Sequence, residues 1–393
     1  MITLRLFLLA ALLVAAPLSA QTLTLPHVGA VGDSFGASAA LSETRAAVGA
    51  PSHDRCGPSS GAVHLFDADA TGAWLPSDTL SAPDCKPGMF FGRRIAMSGD
   101  LLLATASGDF FEGARTNLVY AFARDTTGVW RYDGRLAPMS GVQEGAFGFA
   151  VALDGNRAAV TASGDGEKGA YGGSIYIYER SPQGRWSRTA RLLSPDRRAI
   201  LGSDVALSGD LVIATAPDVR RGRDGRAVAF GFDGQGWQAA GSVDGLDGKT
   251  LTIAALGNRV VIGEPEARGE RGRVFVWTWD GVESFERLTS LKPPTSYRGG
   301  RFGHQIALGP NHAAAAAYDE QIGRTTNVDR VVHVFAQTAE WEPVQVADQG
   351  SAFFGSAVAL DATHLLAGED DPQAGGSAYV ISLRRDGRTA MER

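Results

Sequence analysis

Hydrophobic residues in this chain come in short runs that alternate with polar positions and are separated by Gly, Asp and Asn. The segments FGFAVAL at 147–153, GGSIYIY at 172–178 and WSRTARLL at 186–193 alternate, whereas LVIATAP at 211–217 is continuously apolar. Alternation over five to seven residues between turn residues is typical of β-strands. The pattern therefore predicts units of four antiparallel strands joined by tight turns.

The four-strand unit recurs along the chain with a period of about 49 to 56 residues. Six copies begin with a Gly that usually follows a Phe, namely Gly36, Gly92, Gly148, Gly202, Gly303 and Gly355. A seventh copy, without Phe-Gly, occupies residues 249–277. Seven four-stranded units predict an all-β fold, a seven-bladed β-propeller of antiparallel blades around a central channel.

The two ends of the repeat array indicate how the ring closes. The last unit stops after SAYVISL at 377–383 and lacks a fourth strand. The segment TLTLPHVGAVGDSFG at 22–36 resembles the fourth strand and linker of other units. We therefore expect the N-terminal strand to complete the last blade, which would cover edges that otherwise invite aggregation.

The first twenty residues have the features of a secretory signal peptide: Arg5, an apolar run at 6–16 and a Pro-Leu-Ser-Ala exit. Leu18 is an unusual residue three positions before the cut, so a membrane-retained N-terminus stays open as an alternative. No later stretch approaches the length of a membrane helix. The sequence predicts a signal peptide at 1–20, a single propeller domain at 21–393 and a secreted or periplasmic location without a transmembrane segment.

Composition changes this picture little. The chain has 44% hydrophobic residues, 50 Gly and a net charge of −6, which is typical of a soluble globular protein and gives no sign of nucleic-acid binding. Its two cysteines, Cys56 and Cys85, would lie in an oxidising compartment after export, which favours a disulfide over two free thiols. Both fall on the propeller face that carries the loops between second and third strands and the linkers between blades.

The first unit supports a family resemblance. Phe35-Gly36, then Gly49-Ala50-Pro51, then GAVHLF at 61–66 resemble the FG-GAP repeat of integrin α-chain propellers and of bacterial exported proteins. The resemblance implies recognition or adhesion as a function. Calcium loops of that family lie between the first and second strands, but the turns here, such as 42–44 and 154–156, are too short to supply six to eight oxygens. No metal or cofactor is therefore expected.

Two short motifs point to chemistry but have simpler explanations. DADATG at 67–72 has the spacing of a calcium loop, yet Asp and Gly are also what a hairpin turn needs at this place. GDSF at 32–35 is similar to a serine-hydrolase motif, yet GAFG at 145–148 and GRFG at 300–303 occupy the same slot in other repeats. No catalytic residue is assigned from the sequence.

The candidate binding residues are aromatic and basic residues in the variable loops and linkers of one face. RRGRDGR at 220–226 and ARGERGR at 267–273 form a basic patch in an acidic protein, suited to an anionic partner, although a solvated rim explains them as well. The candidates are Phe110, Phe111, Tyr171, Arg220, Arg221, Arg223, Arg268, Arg271, Tyr297 and Arg298.

The function predicted from these features is recognition of a protein or glycan partner through this loop face. One alternative is an enzyme, a hydrolase or lyase, whose site is assembled across blades at the channel mouth, because such a site leaves no linear motif. The other alternative is a structural module of a larger assembly. Neither alternative is excluded by the sequence.

Overall fold

The structure, a computed structural model, describes residues 22–26, 30–111, 114–138, 144–165, 172–194, 200–217, 225–294, 299–319, 329–338 and 340–383. Seven four-stranded antiparallel sheets form a ring, and each innermost strand contacts the innermost strand of the next blade. The predicted seven-bladed β-propeller is confirmed. Within the described residues no helix is long and apolar enough to cross a membrane.

The strands follow one another in the order that the repeat predicts, with the innermost strand of each blade first. In chain order they are β1 (Thr22–Thr24), β2 (Ser38–Ser42), β3 (Arg45–Ala50), β4 (Ala62–Ala68), β5 (Trp74–Leu80), β6 (Ile95–Ser98), β7 (Leu101–Phe111), β8 (Ala114–Arg124), β9 (Trp130–Leu136), β10 (Glu144–Asp154), β11 (Arg157–Asp165), β12 (Ser174–Arg180), β13 (Trp186–Leu193), β14 (Val205–Ser208), β15 (Leu211–Ala216), β16 (Gly225–Phe232), β17 (Trp237–Leu246), β18 (Thr252–Leu256), β19 (Arg259–Glu264), β20 (Arg273–Trp279), β21 (Phe285–Leu291), β22 (Ile306–Leu308), β23 (His312–Asp319), β24 (Asp329–Gln337), β25 (Trp341–Asp348), β26 (Phe354–Leu360), β27 (His364–Glu369) and β28 (Ser377–Ser382), with one helical turn, α1 (Ala267–Glu270), between β19 and β20.

The first strand of the chain closes the ring. Strand β1 is the outermost strand of the seventh blade, where Thr22 pairs with Ile381 and Thr24 with Tyr379 in antiparallel register. Leu25, just beyond β1, donates its backbone N–H to the carbonyl of Ala378 at 2.8 Å. The last blade is thus built from both ends of the chain, as predicted from its missing fourth strand.

The hydrophobic core lies between the blades. Seven clusters of buried side chains fill the seven gaps between neighbouring sheets. In the gap between the first two blades, for example, Val63 and Leu65 pack with Leu102 and Tyr120. Because each sheet is covered on both sides, its central strands are apolar throughout, which explains continuous runs such as LVIATA in β15.

The Phe of the repeated Phe-Gly packs against one fixed slot on the third strand of the same blade. The ring pairs lie 5.4 to 5.9 Å apart, edge to face or nearly so, and are Phe35 with His64, Phe91 with Tyr120, Phe147 with Tyr176, Phe302 with His333 and Phe354 with Tyr379. The fourth blade has Leu201 instead of Phe and Val228 in the slot. The two positions form one packing unit that binds the linker to the blade it enters.

The Gly of Gly-Ala-Pro has a different task, which is to let the next blade approach. A Cβ on Gly49 would lie 2.2 Å from the carbonyl oxygen of Gly92, the Phe-Gly glycine of the second blade. The hydroxyl of Ser38 donates to that same carbonyl at 2.6 Å. Gly263 and Thr252 repeat this arrangement towards the sixth blade, where the hydroxyl lies 2.7 Å from the Gly303 oxygen. The two halves of the motif therefore meet across a blade boundary.

Candidate functional site

Only two of the ten candidate binding residues have side chains that the structure describes. Arg268 and Arg271 lie at the loop between β19 and β20, and both are exposed. The other candidate loop positions, Tyr171, Arg220, Arg221, Arg223, Tyr297 and Arg298, lie outside the described residues. Phe110 and Phe111 have a described backbone but no described side chain.

The segment around Phe110 differs from the expected irregular loop. Strands β7 and β8 continue far beyond the usual strand length, and Phe110 pairs with Arg115 in this extension. A register shift between Ser107 and Phe110 marks where the extension begins. The sequence did not reveal it because Gly108 and Asp109 are residues typical of turns.

The predicted disulfide is present on the loop face. Cys56, in the loop between β3 and β4, is bonded to Cys85, in the linker from β5 to the second blade, with a Cα–Cα distance of 5.9 Å. The bond ties the first blade's loop to the entrance of the second blade. The face that carries the candidate residues is therefore covalently braced at this point.

The hairpin interpretation of DADATG is also confirmed. Asp69 Oδ1 accepts hydrogen bonds from the N–H of Thr71 at 2.8 Å, the Thr71 hydroxyl at 2.6 Å and the N–H of Ala73 at 3.0 Å. These bonds, the Thr71 hydroxyl first, hold the pKa of Asp69 below its usual value. The carboxylate closes the turn between β4 and β5.

GDSF owes its backbone shape to the repeat. Ser34 has a left-handed φ of 58°, and the residues in the same slot of other blades, Phe90, Ala146 and Arg301, have φ of 47°, 61° and 52°. In these four blades the linker adopts the same conformation just before the repeated Gly, although the residue differs in each. The strained Ser34 is thus a repeat feature and gives no support to a nucleophile.

A basic groove lies on the loop face between the fifth and sixth blades. It encloses about 400 Å³ between α1, strands β20 and β21 and the linker to the sixth blade. Arg268, Arg271, Arg273 and Lys292 line it together with apolar surface from Phe275 and other residues. The groove therefore combines positive charge with an apolar wall, as recognition surfaces commonly do.

Three of the four cations in the groove have no side-chain partner within the part of the chain that the structure describes. Arg273 is bonded to the buried carboxylate of Glu264. Arg268, Arg271 and Lys292, in contrast, form no side-chain hydrogen bond or ion pair with any residue in the described ranges. Glu270, the acid beside them on α1, is paired with Arg301 at 3.4 Å. An excess of positive charge results, in a chain whose net charge is −6.

A second recess occupies the central channel. A cavity of about 230 Å³ is lined by residues at the start of the innermost strand of all seven blades. It shares Ala37 and Arg94 with a cavity of about 320 Å³ that Pro51, Phe90, Arg93 and Asp370 complete. Since Pro51 and Asp370 belong to loops between second and third strands, the channel opens onto the loop face.

Asp204 is the acid inside the channel. Its Oδ1 accepts the N–H of Val205 at 2.9 Å and its Oδ2 accepts the N–H of Ile253, on the next blade, at 2.9 Å. Burial among the converging strands raises the pKa of Asp204, while those two bonds and the positive charge of Arg94 oppose that rise. The carboxyl therefore joins the fourth blade to the fifth, which has no Phe-Gly of its own.

Two more titratable groups with shifted pKa values, His304 and Asp370, line the channel and its mouth. Burial lowers the pKa of His304 to about 4, with the charge of Arg330 as the next cause. The His304 ring stacks on Tyr318 at 5.1 Å, and both of its ring nitrogens are buried. Burial also raises the pKa of Asp370, although a hydrogen bond with Ser34 opposes the rise. Such clustering in a recess is common at functional sites.

The two arginines of the channel differ from these buried groups because their side chains are exposed to solvent and can contact a ligand. Arg93 and Arg94 are exposed, and neither guanidinium makes an ion pair or hydrogen bond with the residues that the structure describes. Gln305 also lines the cavity, and its side-chain amide makes no hydrogen bond with the described residues. The channel therefore presents two guanidiniums and an amide to any ligand that enters.

The sequence offered a site at the channel mouth as an alternative but did not identify its residues, although a signal existed. Arg94 and Asp204 stand two residues after the repeated Gly of their blades, where other blades have Ser38, Ala150 or Ala357. Charges at a position that three other blades fill with Ser or Ala, and the sixth blade with Gln305, indicate a function that the repeat itself does not require. Only the ring geometry shows that these two positions face one cavity.

Comparison with known proteins supports the repeat assignment. The sequence model of the FG-GAP repeat matches residues 20–66 and 130–178. The chain thus carries FG-GAP repeats, and it is a β-propeller with seven blades. No curated protein matches the chain.

Several solved structures share the propeller fold. Hydrazine synthase of Kuenenia stuttgartiensis has a TM-score of 0.59 at 12% identity, covering 92% of this chain and 99% of that chain. A candidate 6-phosphogluconolactonase of Bacteroides uniformis has a TM-score of 0.53 at 11% identity, with coverages of 80% and 85%. A protein of Lactobacillus plantarum has a TM-score of 0.51 at 14% identity, with coverages of 79% and 84%. At these identities the likeness concerns the fold alone.

Proposed function

We propose that this protein is an exported recognition module that binds an acidic partner through the basic groove between its fifth and sixth blades. The observation that carries the proposal is a set of three exposed cations around one groove of an acidic protein, Arg268, Arg271 and Lys292, none of which has an ion-pair partner among the described residues. Complementary charge speeds encounter and selects partners. The partner is a carboxylate-bearing glycan or an acidic segment of a protein.

The location is part of the proposal. An N-terminal segment with signal-peptide character and a disulfide on the loop face both fit a periplasmic or extracellular setting. A protein in that setting meets cell-surface glycans and other exported proteins directly.

Binding is favoured over catalysis by how the channel groups are used. Both ring nitrogens of His304, which lines the channel, are buried. A general acid or base must reach its substrate within hydrogen-bond distance, directly or through one water. A hydrolase or lyase site that used His304 would therefore need this side chain to rearrange, whereas the groove can bind a partner as it stands.

The test measures binding of polygalacturonate and of poly-glutamate to the purified protein, with neutral dextran as a reference. The double variant Arg268→Gln/Arg271→Gln should bind the acidic polymer about fivefold to tenfold more weakly, because each exposed charge pair contributes up to about 1 kcal/mol. Binding should also weaken as salt is raised from 0.05 to about 0.3 M, in keeping with charge screening.

The matched control is Arg185→Gln/Arg188→Gln, which removes the same charge from an exposed turn and strand of the third blade. Unchanged binding in this control, together with loss in the groove variant, supports the groove as the site. Equal loss in both variants would show a response to net charge only and would contradict the proposal. Preference for polygalacturonate or for poly-glutamate decides between a glycan and a protein partner.

A further inference from the structure

The central channel carries binding groups that the basic groove does not involve. Its inner cavity of about 230 Å³ is smaller than most ligand pockets, which typically span roughly 300 to 1,000 Å³. The adjoining mouth adds a compartment of about 320 Å³. The space admits a small molecule and excludes a folded partner.

The charged groups around this space differ in whether they already have a partner among the described residues. Arg94 lines both compartments and Arg93 lines the mouth, and both guanidiniums are unpaired among the described residues. Of the two acids nearby, Asp204 holds two backbone N–H groups, and burial raises the pKa of Asp370, whose Oδ1 has no hydrogen-bond partner among the described residues. An oxyanion is the ligand group that two free guanidiniums recognise best.

Neutral polar groups line the wall beyond the arginines. The side-chain amide of Gln305 offers donors and an acceptor, and each Asp204 oxygen keeps a lone pair after accepting one N–H. These groups pair with hydroxyls and would be left unsatisfied by an alkyl chain. Phe90, which is 37% exposed, adds an apolar surface at the mouth.

We propose that the channel recess is a binding site for a small hydroxylated organic acid, with its oxyanion against Arg94 and Arg93 and its hydroxyls against Asp204 and Gln305. The site is built from several blades and is separate from the groove between the fifth and sixth blades. The loop face would then bind a small molecule in the channel as well as a partner in the groove, and neither site depends on the other.

Isothermal titration of the full protein with four probes tests this site. Gluconate carries both a carboxylate and hydroxyls, hexanoate only the carboxylate, glucose only hydroxyls, and inorganic phosphate only an oxyanion. Gluconate should bind with a Kd below about 1 mM, and hexanoate and glucose at least tenfold more weakly. Equal binding of phosphate and gluconate would overturn the role of Asp204 and Gln305, and no gluconate binding at millimolar concentration would overturn the site.

Two variants locate the binding. Arg94→Gln should weaken gluconate binding about tenfold or more, whereas Arg185→Gln, with the same charge change, should leave it unaltered. Ala37→Leu adds bulk where the two compartments join and should abolish binding without any change in charge, which also covers the case in which Arg94→Gln fails to fold. Binding that survives both channel variants, or that is lost in Arg268→Gln/Arg271→Gln, would place the ligand elsewhere and refute the proposal.

Discussion

Asp133, on the outermost strand of the second blade, accepts two hydrogen bonds from the guanidinium of Arg180 on the third blade, at 2.6 and 2.7 Å. The indole N–H of Trp186 donates to the same carboxylate at 2.7 Å. The Asp133 side chain is only 11% exposed, so the bonds form in a partly dry cleft. This bidentate contact joins the outer parts of two blades, far from the channel.

Removal of that carboxylate should destabilise the ring. Asp133→Ala leaves the Arg180 charge and the Trp186 N–H without their acceptor, and we expect a loss of about 2 to 4 kcal/mol in the free energy of unfolding measured in urea. Asp210→Ala is the control, because Asp210 also pairs with an Arg of another blade, Arg157 at 3.1 Å, but is 65% exposed. That change should cost less than about 1 kcal/mol. Similar losses in both variants would contradict the role assigned to burial.

The left-handed residue that precedes four of the Phe-Gly pairs predicts a stabilising substitution. Ala146 has a φ of 61°, a conformation that costs an L-residue about 1 to 2 kcal/mol and a glycine little. Ala146→Gly should therefore raise the free energy of unfolding by about 0.5 to 1 kcal/mol, after the greater entropy of Gly in the unfolded chain is deducted. Ala39→Gly, in strand β2, should lower it by about the same amount. A destabilised Ala146→Gly variant would show that the strain is absent in solution.

The fold could be predicted from the sequence because its signal is repeated. Phe35, Phe91 and Phe147 mark the same place in successive units, and even the displaced strand β1 could be found by its likeness to other fourth strands. The packing partner of each Phe, such as His64 or Tyr176, lies in the same unit, so one repeat contains most of the information that one blade needs.

The channel site could not be predicted in the same way. Arg94, Asp204 and Gln305 come from three blades, and although each stands two residues after the repeated Gly, only the closed ring shows that these positions line one cavity. The groove was partly predicted, because Arg268 and Arg271 are neighbours in one loop. The contribution of Lys292 to the groove could not be predicted, because it depends on the path of the linker to the sixth blade.

The disulfide should stabilise the loop face through the unfolded state. Cys56 and Cys85 are 29 residues apart in the sequence, and closing a loop of that length stabilises by about 3 to 4 kcal/mol in the chain-entropy model. Cys56→Ser/Cys85→Ser should lower the thermal midpoint, and a reductant should lower it for the natural protein but not for the variant. A midpoint of the natural protein that does not respond to complete reduction would contradict this expectation.

Two buried histidines of the sixth blade should make stability fall in mild acid. Burial lowers the pKa values of His304 and His333 to about 4, while a histidine in the unfolded chain has a pKa of about 6.5. Below pH 6.5 the unfolded chain therefore binds protons that the folded chain does not. The stability is complete above that pH and is lost progressively down to about pH 4, by on the order of 2 kcal/mol per histidine at pH 5.

A residue found at the equivalent position of another blade suggests a variant that tests this predicted loss of stability in acid. His333 occupies the slot that packs against Phe302, and the fifth blade has Phe275 in the equivalent place. His333→Phe should keep the blade folded and remove about half of the stability loss between pH 7 and pH 5, as measured by urea unfolding at each pH. Tyr176→Phe, in the same slot of the third blade, removes no group that titrates in this range and should leave the loss intact. If His333→Phe shows the full loss as well, other groups must cause it, since this histidine would then be protonated equally in the folded and unfolded chains.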